Sequence, residues 1–251
     1  MITHRPSMAS FLTALAFLTR IPVRATCMPE AIGQSASMFP VVGALVGAAE
    51  VLVLWMCRRA MPPTLTATVI VLTGIVLTGA LHVDGLADTV DGFGGGRTRE
   101  DVLRIMRDHQ IGTYGAIALV MTLLLQISAI ASLIERDAAA RFLVVAPTAS
   151  RWAMVLLGRR LPYARPDAGL GRALTDHVRD REVWASTALA LAITVGLARG
   201  PGIVSLALTL ALTVGVGFVC WRRIGGVTGD TLGANAVLCE TMILMAAVAQ
   251  S

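Results

Sequence analysis

Apolar residues in this chain come in long uninterrupted blocks, without the alternating or one-faced patterning of water-soluble strands and helices. Hydropathy divides them into seven blocks, about 38–57, 64–83, 113–134, 142–158, 183–199, 202–219 and 234–249. A helix of roughly 20 apolar residues crosses a bilayer, and the blocks 142–158, 183–199 and 234–249 lie near the short limit. The pattern therefore predicts an all-α, polytopic membrane helix bundle of about seven transmembrane helices, within a range of six to eight. Pro62-Pro63 punctuates the first hairpin, and Arg199-Gly200-Pro201-Gly202 reads as a tight turn between the fifth and sixth blocks. Residues 1–251 read as one integral membrane domain, with 1–37 an N-terminal interfacial segment. Residues 8–19 look like a short signal region, but Arg20 and Pro22 follow without an A-x-A cleavage site, so the segment is expected to be retained.

Composition sharpens this picture. Only 15% of the residues are charged, against about 25% in soluble domains, and mean hydropathy is +0.73. The net charge of +5 comes entirely from arginine, with no lysine in the chain, which excludes a lysine Schiff base. No basic helix or aromatic stacking pattern accompanies the charge, so nucleic acid is not expected as a partner. Cys27, Cys57, Cys220 and Cys239 are scattered without a CxxC pair and read as small apolar residues.

The arginines predict orientation. With seven spans, fifteen fall on one side: Arg5, Arg20, Arg24, Arg97, Arg99, Arg104, Arg107, Arg159, Arg160, Arg165, Arg172, Arg179, Arg181, Arg222 and Arg223. Five fall on the other: Arg58, Arg59, Arg136, Arg141 and Arg199. The positive-inside rule makes the first side cytoplasmic. Three polar loops, roughly 84–112, 159–182 and 220–233, then share that face, bringing Asp84, Asp88, Asp91, Asp108, Asp167, Asp176, Asp180 and Asp230 together with twelve arginines. Within the spans stand Glu50, Arg151 and Glu240. The matching depths of Glu50 and Arg151 suggest a buried pair; the other reading turns Arg151 toward a substrate phosphate.

The chemistry concentrates in 84–112, read as an acidic catalytic loop. If the second span continues as a helix past His82, Asp84, Asp88 and Asp91 are spaced i, i+4, i+7 and share one face within an arc of roughly 60°. They climb about 10 Å along the helix axis, too far for one ion, but two carboxylates one turn apart can share Mg²⁺. Oxygen-only ligands favour Mg²⁺ over zinc. Gly94 and Gly95, with Gly96, let backbone N–H groups approach an anion, and Arg97 and Arg99 add charge. Thr98 and Asp101 form a variant capping box that opens an amphipathic helix, which Asp108 closes. Metal, arginine and glycine backbone together suit phosphoryl transfer. His82 lies opposite the aspartates and reads as structural, while His109 and His177 carry no spacing signal. Gly225-Gly226-Val227-Thr228-Gly229-Asp230 is a weak motif alone, raised by its position on the acidic face.

These segments resemble the cobalamin synthase family, the adenosylcobinamide-GDP ribazoletransferases, over nearly the whole chain. The resemblance rests on Phe17-Leu18-Thr19-Arg20-Ile21-Pro22-Val23, Phe39-Pro40-Val41-Val42-Gly43, His82 through Gly92, Ile105-Met106-Arg107-Asp108, Gly112-Thr113-Tyr114-Gly115 and Gly225 through Ala234. It implies a Mg²⁺-dependent inner-membrane enzyme. A ribose hydroxyl of α-ribazole, or of its 5′-phosphate, attacks the cobinamide-linked phosphate of adenosylcobinamide-GDP and GMP leaves. Carried onto this chain, Asp84 and Asp88 hold Mg²⁺, Asp91 is a ligand or the base, and Asp108 and Asp230 complete the metal shell. Arg97, Arg107 and Arg151 face the diphosphate, and Thr228 and Gly229 belong to the second half of the site. Val237, where a glutamate is expected, and His109, where a small residue is usual, depart from the pattern. Membrane lipid surrounds such a protein, and a homo-oligomer is compatible with it.

Two rivals remain. A CDP-alcohol phosphotransferase shares the opening of Asp88-Thr89-Val90-Asp91-Gly92, but the required Ala-Arg and the downstream GxxxDxxxD do not follow. A transporter places its polar groups near the midplane, whereas these carboxylates crowd one surface.

Overall fold

The computed structural model describes residues 8–26, 28–166, 169 and 171–250. Arg5, Cys27 and Asp167 lie outside the described residues. Helices α1 (Met8–Leu18) and α2 (Pro29–Ser35) precede α3 (Phe39–Cys57), α4 (Pro63–Thr78), α5 (Leu81–Gly95) and α6 (Arg99–Ile105). There follow α7 (Thr113–Glu135), α8 (Ala139–Arg160), α9 (Arg172–Asp176), α10 (Asp180–Ile224) and α11 (Gly229–Gln250). Five helical stretches are long and apolar enough to span a membrane, and α4 and α5 reach that length only as a pair bent by 90°.

One of the five is not a single rod. In α10, Arg199 has φ 50° and ψ −122°, and a Cβ on Gly202 would collide with the Thr194 carbonyl. Those two residues would stand about 12 Å apart along a continuous helix, so the chain doubles back there. The predicted Arg-Gly-Pro-Gly turn is present, and its two arms bring the number of crossings within the predicted range.

The second block departs from expectation. The helix does not run on past His82: it stops at Thr78, where Gly79 (φ 62°) and Ala80 (φ 61°) are both left-handed and the direction changes by 90°. A left-handed alanine costs roughly 1–2 kcal/mol. Neighbouring contacts hold the corner: the Arg20 amide donates to the Leu77 carbonyl at 2.7 Å, and the Arg20 side chain fills the space that a Cβ on Gly79 would need. The aspartates therefore belong to a separate helix, α5, which crosses the first turns of α7 and α11. Gly85 packs on the Asp230 backbone and Gly233 on His82. α5 thus lies across one end of the bundle, outside the spans.

Small residues let the long helices approach closely. Gly43 and Gly47, one turn apart on α3, sit where a Cβ would strike the Pro147 and Leu143 carbonyls of α8. Ile70, Leu133, Phe142, Leu143 and Ile243 fill the adjacent core, while Leu52, Leu72, Leu124, Val214 and Phe218 form an exposed apolar outer surface. The predicted Glu50–Arg151 pair does not form. Arg151 is ion-paired with Glu240 of α11 and donates to Ser150 Oγ at 2.8 Å. Glu50 instead borders, with His82, Arg151 and Glu240, a buried cavity of about 50 Å³. Matching depth alone did not select the partner, since α8 packs directly against both α3 and α11. Cys57, Cys220 and Cys239 are free thiols.

Candidate active site

The three polar loops interlock at one end of the bundle. Arg99 Nε donates to the Ile224 carbonyl at 2.8 Å and its Nη2 to the Ala164 carbonyl at 2.7 Å. Val227 pairs with the Pro162–Ala164 stretch, Ala164 N donating to Val227 O at 2.8 Å and Val227 N to Pro162 O at 2.9 Å. Arg223 Nη2 donates to the Phe93 and Gly96 carbonyls at 2.6 and 2.8 Å, satisfying the C-terminal end of α5. At least two arginines of the polar loops thus serve as clamps that hold backbone segments in register.

On this frame the aspartates separate into distinct jobs. Asp84 is exposed and Asp88 half-buried on α5, and with the exposed Asp108 they line a polar hollow of about 160 Å³. Asp84 also borders a second cavity of about 230 Å³, whose polar rim is completed by Asp230 and Arg165. Arg165 Nη2 donates to Asp230 Oδ2 at 2.7 Å and to the Met106 carbonyl at 3.3 Å, tying α6, the 161–171 segment and α11 to one point. Four predicted carboxylates thus surround one divided cleft, with Asp84 on the partition.

Asp91 is placed differently from its helical spacing. It is buried, and its two oxygens accept the amides of Gly112 at 2.7 Å and Gly115 at 2.8 Å. This carboxylate caps the N-terminus of α7, where orphan N–H groups and the helix dipole favour an anion. A Cβ at Gly112 or Gly115 would strike it, which accounts for the glycine pair in Gly112-Thr113-Tyr114-Gly115.

The glycine run also has another role. Gly94 and Gly95 are within α5, not in an anion-binding loop, and positive φ among the described glycines occurs only at Gly79 and Gly225. A Cβ on Gly94 would lie 2.8 Å from the Tyr114 ring, so the glycine permits close packing. Thr228 is fully buried; its Oγ1 accepts the Thr231 amide at 3.2 Å and donates to Asp230 at 3.3 Å, so it starts α11 and steadies Asp230. Gly229 does line the cleft, against Gly171. Arg151, buried and paired in the bundle interior, does not line the cleft, and Arg97 and Arg107 are exposed and line neither cavity. The predicted cap is present: Thr98 Oγ1 accepts the Asp101 amide at 3.1 Å.

Arg165 is the charged cleft residue that spacing did not single out. It was one basic residue among many in a polar loop, without a periodic pattern around it.

The electrostatics of the cleft favour a cation. Burial, followed by the neighbouring carboxylates of Asp230 and Asp84, pushes the Asp88 carboxyl up to about 7, against a smaller opposing effect of Arg165. Among the described residues no three His, Cys, Asp or Glu side chains are gathered tightly enough to hold a metal unaided. Mg²⁺ needs less: it characteristically takes one or two carboxylates, keeps several waters and completes its shell with substrate phosphate. Crowded carboxylates bordering an open polar hollow fit that donor set.

Sequence comparison bears on which chemistry this cleft serves. The profile of the cobalamin-5-phosphate synthase family matches residues 10–248. A protein of Pseudomonas aeruginosa strain PAO1 named adenosylcobinamide-GDP ribazoletransferase is 40% identical over 250 residues, covering 96% of this chain and 98% of the relative. Proteins of the same name from Syntrophobacter fumaroxidans and Shewanella oneidensis are 37% and 38% identical, covering 94% and 92% of this chain and 97% and 90% of theirs. No solved structure matches. With the match running from α1 to the end of α11, this chain belongs to the cobalamin-5-phosphate synthase family.

Proposed function

We propose that this chain is an adenosylcobinamide-GDP ribazoletransferase that joins the two halves of cobalamin at a membrane surface. A ribose hydroxyl of α-ribazole or α-ribazole 5′-phosphate attacks the cobinamide-linked phosphorus of adenosylcobinamide-GDP. A new P–O ester bond forms, the bridging P–O bond to GMP breaks, and the hydroxyl proton passes to a carboxylate. The observation that carries this reading is the divided cleft, with Asp84 on the partition between two cavities and carboxylates on both sides. A two-substrate transfer needs such a meeting point.

Asp84 and Asp88 would hold Mg²⁺, with Asp108 and Asp230 at the edge of its shell. Bound Mg²⁺ would neutralise and align the diphosphate. Arg165 holds Asp230 in place and brings positive charge to the rim of the cleft. Burial and the neighbouring carboxylates that raise the proton affinity of Asp88 give it the same reason to bind a cation. Asp91 positions this machinery by fixing α5 against α7. The arginine excess supports placing the cleft on the cytoplasmic face of the inner membrane.

The test is a membrane assay with adenosylcobinamide-GDP and α-ribazole 5′-phosphate. The expected result is release of GMP with formation of the joined corrinoid, abolished by EDTA and restored by Mg²⁺. Well-expressed protein that yields neither product overturns the assignment, and activity that persists in EDTA overturns the metal dependence.

A further inference from the structure

The two cavities that meet at Asp84 differ in chemistry. The 160 Å³ hollow is lined by Asp84, Asp88, Asp108, His109 and Gln110, and opens among exposed side chains. The 230 Å³ cavity shares that carboxylate and is also lined by His82, Arg165 and Asp230, but much of its wall is apolar: Phe17 of α1, Met154 of α8, Leu174 of α9, Leu232 of α11 and the ring of Tyr163. Arg172 covers one face of that ring, with its guanidinium carbon 5.3 Å from the centroid. Gly171 and Gly229 flank the cavity, and a Cβ on Gly171 would meet the Gly229 backbone at 2.7 Å. These elements come from five separate segments of the chain, so the cavity exists only in the folded protein.

Resting on the transferase reading above, we infer that this apolar cavity is the acceptor subsite and receives the fused bicyclic base of the α-ribazole nucleoside. Three physical facts select that occupant. An apolar aromatic base gains from leaving water against Phe17, Met154, Leu174 and Leu232. A corrinoid macrocycle is several times too large for 230 Å³ and must lie across the outer surface. A base seated among these walls also points its ribose out toward the rim, where Asp84, Asp230 and Arg165 stand. The donor diphosphate then occupies the polar hollow on the other side of Asp84. Met154, Phe17 and Leu174 are therefore specificity-determining residues for the acceptor, and none of them need touch the reacting atoms.

The experiment is a pair of size changes at Met154, read as separate KM values for the two substrates in detergent-solubilised, full-length protein. Met154→Trp fills the cavity and should raise the KM for α-ribazole by about tenfold or more while the donor KM stays within about twofold. Met154→Ala enlarges it and should improve kcat/KM for an acceptor bearing a bulkier base relative to α-ribazole. Direct titration of α-ribazole alone against each variant gives a readout independent of turnover, and a thermal melt checks that each remains folded. If wild-type protein turns over but both KM values rise together, or neither variant changes acceptor preference, the subsite assignment is overturned. Absence of wild-type turnover despite saturable α-ribazole binding overturns the transferase reading and leaves the pocket standing.

Discussion

Asp84 and Asp91 lie on the same helix seven residues apart, yet one faces the cleft and the other caps a neighbouring helix. Substitution should separate them. Asp84→Asn and Asp88→Asn keep shape and volume but remove charge, and each should lower GMP release by roughly 100-fold or more, with the melting temperature little changed. Asp91→Ala should instead destabilise the fold by about 1–2 kcal/mol, through loss of two amide partners at the start of α7, and excess Mg²⁺ should not rescue it. Thermal melts beside activity assays at increasing Mg²⁺ distinguish the two outcomes. The spacing i, i+4, i+7 correctly put three carboxylates on one helix; it did not reveal that a glycine-bearing turn twenty-one residues later claims the third. In the interior, Arg151→Met should cost roughly 3–5 kcal/mol, because Glu240 is left without its cation. Replacing both partners by apolar residues should recover much of that loss in the same denaturation measurement.

Two devices determine geometry at the scale of elements. The Gly43–Gly47 stripe sets how closely α3 approaches α8, and Gly43→Leu should push the pair apart and sharply reduce the yield of monodisperse protein in detergent. The Gly79–Ala80 corner aims α5 across the bundle end. Gly79→Val places a β-branched residue at positive φ and against Arg20, so it should lower activity and stability together. Most spans were legible from hydropathy, because a bilayer demands long apolar runs with internally satisfied backbone. The corner was not: residues 64–83 are one apolar block, and an alanine with left-handed φ announces nothing. The α10 turn could be read, because Gly200, Pro201 and Gly202 are local signals that act through their own backbone preferences.

Across the whole molecule, polar connections meet at one end and short ones at the other, where Arg58 faces Asp137 and Arg136 donates to the Val248 carbonyl. Single cysteines introduced at Thr98 and at Asp137 into a protein whose native thiols are replaced should react from opposite faces of sealed, right-side-out vesicles. Asp137→Cys is expected to label with an impermeant maleimide and Thr98→Cys only after permeabilisation; the reverse pattern overturns the orientation. The cleft is a property of this end as a unit. Arg99, Arg165 and Arg223 tie together segments more than 50 residues apart, and each cavity wall is shared among helices.

The residue pattern alone determined the membrane bundle, its lopsided charge, the acidic helix and the family resemblance, because each depends on local composition, period or contiguous motif. Tertiary packing alone decided which carboxylates share the cleft, that Glu240 rather than Glu50 meets Arg151, and that Arg165 joins the site. Those choices depend on helix approach and on a 90° corner between residues whose neighbours in space are remote in the chain.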